Sequence, residues 1–117
     1  MLMNEKLTVK SARLVTGSGI ILPALANRLY RILDWRIGFS ASTSYCLYAG
    51  SAYNDDGKSG VESGLMHSET VAASAYSGRP DPFNSNMFVT VQEMPVRIHT
   101  TPNRTPLSDS FIRYEEV

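Results

Sequence analysis

The chain is poor in residues that cross-link or chelate. Of 117 residues, one is cysteine (Cys46) and two are histidine. A single cysteine excludes an intramolecular disulfide and any multi-cysteine zinc site. Neither sign of charge is in excess, since 11 Lys and Arg balance 11 Asp and Glu. No global field therefore draws the chain to nucleic acid or to an acidic membrane surface. No stretch approaches the roughly 20 apolar residues that a membrane helix needs. The apolar run at residues 19–26, GIILPALA, is short and contains Pro23. The opening MLMNEKLTVK has no apolar segment behind its charges and does not read as a signal peptide. The expectation is a protein made in the cytoplasm that stays there or leaves as part of something larger. Internal repeats and low-complexity tracts are also lacking.

What the chain does have is apolar residues in short alternating runs. Hydrophobic residues make up 43% of the whole, enough for one folded domain spanning 1–117. The densest stretch is 27–51, NRLYRILDWRIGFSASTSYCLYAGS, which holds the only Trp. Its odd positions from Leu29 to Phe39 are mostly apolar, with exceptions at Arg31 and Ile32. A helical stripe through Leu22, Leu25, Leu29, Ile32 and Leu33 competes with this pattern. The alternation outlasts that stripe, which fails at Arg36, so a strand is the better reading. With a turn at 40–43 and a second alternating run at 45–49, the stretch predicts a hairpin with Trp35 packed under its partner strand. Cys46 reads as a small buried hydrophobe.

The same pattern recurs at 7–15, 20–22, 87–92, 96–99 and 111–117, interrupted by Pro95. Residues 67–76 fit either a strand or one helical turn. Short strands and turn clusters predict an all-β fold, a single small antiparallel β-sandwich, jelly-roll-like, with a long irregular loop excursion. The excursion is placed at 52–86 and an N-terminal arm at 1–6. The predicted core comprises Leu29, Leu33, Trp35, Ile37, Leu47, Val89 and Val91.

Chemical motifs are weak. AYNDDGKS, residues 52–59, fits a relaxed phosphate-loop pattern, but Asp55 and Asp56 would face the phosphates. Asn54, Asp55 and Asp56 are contiguous, unlike the alternating ligands of a calcium loop. His67, Ser68 and Glu69 are neighbours in sequence, and on a strand successive side chains point to opposite faces. Arg28, Arg31 and Arg36 mix with Tyr30 and Trp35, a combination that can bind single strands. Cross-strand ion pairs on a solvated face account for it better. Alternation puts Arg28 and Arg36 on one face with Asp34, and Arg31 on the other. No enzyme, cofactor, metal or nucleic-acid partner is expected, and no membrane.

The segment from Leu14 to Ser51, read as RLVTGSG, IILPALAN, RLYRILDWRIGFS and SYCLYAGS, resembles small β-sandwich virion proteins of tailed bacteriophages. The closing FIRYEEV fits their usual ending. The resemblance implies a structural virion protein, a capsid decoration or cement protein that stabilises the head through contacts with the major capsid protein or other virion proteins. It would be assembled in the host cytoplasm. A tail or connector component, or a carbohydrate-binding tail module with Tyr53, Tyr76 and Phe83 as its platform, is the alternative. A homo-oligomer, with a trimer favoured, is expected. Its contacts are assigned to Leu2, Met3, Tyr53, Tyr76, Arg79, Pro82 and Phe83, because aromatic, Met and Arg residues are enriched at interfaces.

Overall fold

In the computed structural model, residues 8–50, 65–78, 88–90 and 93–117 are described. Among them there is no helix. Nine strands run β1 (Lys10–Arg13), β2 (Ser18–Leu22), β3 (Tyr30–Gly38), β4 (Thr43–Ala49), β5 (Leu65–Val71), β6 (Tyr76–Gly78), β7 (Phe88–Val89), β8 (Val96–Thr101) and β9 (Phe111–Glu116). They form two antiparallel sheets. One has the order β1-β9-β3-β6, with β7 also on β3, and the other the order β2-β8-β4-β5. With the two-residue β7 set aside, β1 pairs with β9, β2 with β8, β3 with β6 and β4 with β5. That nested pairing is the jelly roll, two Greek keys wound into a sandwich.

The hairpin predicted for 27–51 is not formed. β3 pairs with β6, β7 and β9, whereas β4 pairs with β5 and β8. The four residues 39–42 form an arch, long enough to cross the roughly 10 Å between packed sheets. Trp35 still meets β4, but through the core: its indole N–H donates to the Tyr45 hydroxyl, 3.2 Å away on the facing sheet. A local pattern specifies strands and a short link, and both a hairpin and an arch satisfy it.

The exceptions in the alternation of β3 have a structural cause. Register against β9 runs Tyr30↔Glu116, Arg31↔Glu115 and Ile32↔Tyr114, then shifts before resuming at Asp34↔Arg113. Leu33 is the extra residue of a β-bulge, which switches the face that the strand buries. Before it the even residues Tyr30 and Ile32 are buried; after it the odd residues Trp35 and Ile37 are. Of the predicted core, Trp35, Ile37 and Leu47 are buried, whereas Leu29 and Leu33 are only half-buried. Ile32, Ile98, Ile112, Val96 and Phe39 join the core instead, each 0% exposed. Val89 lies in β7, and Val91 is outside the described residues.

The stretch 52–86 is more regular than expected where it is described. β5 and β6 lie within it, joined by a tight turn at 72–75 in which Ser74 has φ 60° and bonds the Phe39 carbonyl. That turn carries the chain from one sheet to the other, a second arch beside the one at 39–42.

Tyr30 marks the far end of the core. Its hydroxyl donates to the Pro23 carbonyl, and its ring meets Tyr114 edge-on at 5.4 Å. Burial, with Tyr114 and Glu116 nearby, pushes its phenol up from 10.0 to about 12. Between those values the unfolded chain ionises and the folded chain does not. The contribution is complete below the unfolded value and is lost as pH rises through the folded one. Urea-unfolding stability should therefore be steady up to about pH 10 and then fall, with Tyr30→Phe flattening the fall. The bulge makes a separate prediction. Ile32→Ala should cost about 2–5 kcal/mol, and Leu33→Ala, one residue on, well under half of that. Equal costs in urea denaturation would refute the change of face at Leu33.

Candidate interaction surface

The bulge also gathers charge on one face. After it, Asp34 and Arg36 point outward with Arg31, although plain alternation separates Arg31 from them. Arg31 meets Glu115 at 3.7 Å, and Arg36 reaches Asp109 at 3.7 Å. Arg113 forms a two-pronged pair with Asp34, its Nε donating to Oδ1 at 2.7 Å and its second nitrogen to Oδ2. Cross-strand ion pairs thus cover the outer face of the β1-β9-β3-β6 sheet, and exposed pairs of this kind add little stability. Arg28 lies apart at the strand end, donating to the Glu116 carbonyl at 2.8 Å. Lys10 holds the Glu116 carboxylate at 2.8 Å.

Tyr76 ends this surface on edge strand β6. It pairs with Gly38 in register, and its ring edge lies against that glycine. A Cβ at Gly38 would come within 2.5 Å of the ring, so only glycine admits it in this position. The Arg36 guanidinium sits over the ring, 4.0 Å from its centre. The Tyr76 hydroxyl donates to the Asp109 carboxylate at 2.7 Å. Hydrogen bonding to Asp109 first, and burial second, pushes the Tyr76 phenol up from its ordinary value. The side chain is nevertheless 39% exposed. It is a large amphipathic group held rigid at the rim of the sandwich, where contact with another molecule would cost it little freedom.

Behind β6 a polar chain enters the core. The Tyr45 hydroxyl, which receives the Trp35 N–H, is 2.5 Å from the Ser77 hydroxyl. The His67 ring stands beside both aromatics, 5.7 Å from Trp35 and 5.9 Å from Tyr45. Its Nε2 is 3.7 Å from Glu69, its neighbour on the same face of β5. His67 and Glu69 do come together, and Ser68 points away from them. Only the spacing of two residues between His67 and Glu69 signalled this in the sequence; nothing there linked them to Trp35, Tyr45 or Ser77.

On the outer face of the other sheet, Ser44, Cys46, His99 and Thr101 line a shallow depression of about 160 Å³, with part of Tyr45. Cys46 is buried, and burial pushes its thiol up despite a backbone hydrogen bond at His99. A thiol held in that form is a poor nucleophile, consistent with its reading as a small hydrophobe.

Comparison with protein-family models, curated proteins and solved structures returns no match. Of the residues assigned to contacts from the sequence, Tyr76 is placed as described above. Leu2, Met3, Tyr53, Arg79, Pro82 and Phe83 lie outside the described residues, as does the GKS turn at 57–59. Arg36 stood out only as part of the basic cluster and Asp109 not at all; neither is linked to Tyr76 in sequence, and they meet it because β3 pairs with β6 on one side and with β9, which Asp109 precedes, on the other. Replacing Asp109 with Asn should lower the pH at which Tyr76 ionises. Absorbance titration, with Tyr76→Phe to assign the signal, would show this, and an unchanged titration would mean that the Asp109 contact is not made in solution.

Proposed function

We propose that this chain is a structural virion protein of a tailed phage, a decoration protein that binds the major capsid protein and stabilises the head through protein–protein contacts. Jelly rolls serve capsid proteins and lectins alike, so the fold is compatible with this role without selecting it. The observation that carries the reading is Tyr76, an aromatic fixed at the rim by Gly38, Arg36 and Asp109 and still exposed. Tyr and Arg dominate protein-contact hot spots. The ring gives weaker support to glycan binding, because the guanidinium occupies one of the faces on which a sugar would stack. A homo-trimer in the virion, without cofactor, nucleic acid or membrane contact, completes the proposal.

Immunogold electron microscopy of particles released by cells carrying the gene tests it. Regular labelling of heads is expected. Label confined to tails would favour the tail or connector role, and unlabelled particles would overturn the reading. A Phe83→Ala, Tyr76→Ala double variant should remain folded by circular dichroism and lose attachment to particles. Attachment at the wild-type level would remove these two residues from the contact.

A further inference from the structure

β1 and β6 bound one sheet of the sandwich, β2 and β5 the other. Three of these four edges are blunted. β1 is four residues long and carries Lys10 and Arg13, both exposed. β2 is interrupted by the register shift between Ile20 and Leu22, with Gly19 at φ 140°. β6 has three residues, and β7 beside it on β3 has two. Short strands, cationic side chains and bulges are the ordinary protections against edge-to-edge pairing. β5 is different. Its seven residues, LMHSETV, include no Lys, Arg, Pro or Gly. Among the described residues, nothing pairs with its outer side. A register shift at Met66 bends its beginning and leaves 67–71 regular against β4. The Thr70 and Ser44 hydroxyls, 2.7 Å apart, fasten it to β4, and Ser68, Glu69 and Thr70 are exposed.

The sequence of β5 is complementary to itself. Two copies of a strand paired antiparallel about a two-fold axis set residues at equal distances from the axis opposite each other, on the same face of the sheet. An axis at Glu69 puts two carboxylates together, and like charges directly opposite are destabilising. An axis at His67 puts imidazole against imidazole. An axis at Thr70 leaves both His67 residues beyond the ladder. An axis at Ser68 sets His67 of each copy opposite Glu69 of the other, twice, with Ser68 on Ser68 and Thr70 opposite Met66. An imidazole that can donate then faces a carboxylate that accepts. The His67 Nε2 is suited to this. It has no hydrogen-bond partner among the described residues, since its own Glu69 stands off at 3.7 Å, beyond hydrogen-bond reach.

We infer that β5 of one copy pairs with β5 of a second copy about a two-fold axis at Ser68, joining the two β2-β8-β4-β5 sheets into one sheet of eight strands. All the residues that meet lie within β5 itself. The inference goes beyond the virion reading and does not rest on it. The contact is isologous and closes at two copies. It therefore does not build the proposed trimer; it joins one trimer to the next. The outer side of β5, left open in the single chain, is closed by backbone hydrogen bonds to its mate.

Cysteine cross-linking of the full chain tests this, with circular dichroism confirming the fold of each variant. Cys46→Ala serves as the background, because Cys46 lies directly across from Ser68 on β4. Opposite residues of an antiparallel pair have Cα atoms about 4.5–5.5 Å apart, within the span of a disulfide. Ser68→Cys should therefore give a covalent dimer on mild oxidation. Thr70→Cys should not, because its two copies would lie about 14 Å apart along the strands. Adding Glu69→Lys to the Ser68→Cys chain should raise the protein concentration needed for half cross-linking roughly tenfold. No cross-link at Ser68, equal cross-linking at Ser68 and Thr70, or a yield unmoved by Glu69→Lys would overturn the contact. Labelled heads with any of those results would refute the contact and leave the virion reading standing. The Ser68 cross-link with unlabelled particles would refute the virion reading and leave the contact.

Discussion

Strand β3 has to serve two phases of burial at once, and much of the molecule is arranged around how it does so. Its first half buries even residues and its second half odd ones, with Leu33 absorbing the difference. Without that extra residue, either Tyr30 and Ile32 or Trp35 and Ile37 would face water, since a one-residue slip turns every side chain of a strand to the other face. The change of face also decides what lies on the outside. Arg31, Asp34 and Arg36 come together there, and their partners on β9 and at Asp109 follow from it. Core and surface are two sides of the same register shift.

The two arches depend on that arrangement in turn. Residues 39–42 and 72–75 cross between the sheets side by side, tied by the bond from Ser74 to the Phe39 carbonyl. They bring β3 with β6 onto one sheet and β4 with β5 onto the other. The Trp35–Tyr45–Ser77 chain is the polar seam where these four strands meet. Its hydroxyls have partners, which is why polar groups can sit at that depth without a large penalty.

Much of the fold could be read from the residues alone. Alternation identified most of the strands, and short strands with turn clusters suggested a sandwich, because both signals are local and depend on the period of two. Sheet membership was not legible at 27–51. A hairpin and an arch share the same alternating strands and the same small-residue link, and only the distant partners β8 and β9 separate them. The bulge left a trace, the exceptions at Arg31 and Ile32, and its meaning became clear only against β9. Of the surface, Tyr76 was assigned by residue type alone, and the structure shows that it is exposed. Arg36 and Asp109 could not be joined to it, since nothing in sequence records which strands lie side by side.

The nested pairing places the most distant parts of the chain next to each other. Lys10 lies opposite Tyr114, and β9, the last strand in sequence, is an inner member of its sheet with β1 on one side and β3 on the other. During synthesis β1 and β3 would therefore wait with open edges until residues 111–116 have been made. Loop closure over such separations slows folding, and unpaired edges in the meantime invite aggregation. Assembly in quantity would thus depend on how quickly the finished chain closes, and a chain stalled short of β9 would expose the very edges that the completed sheet joins.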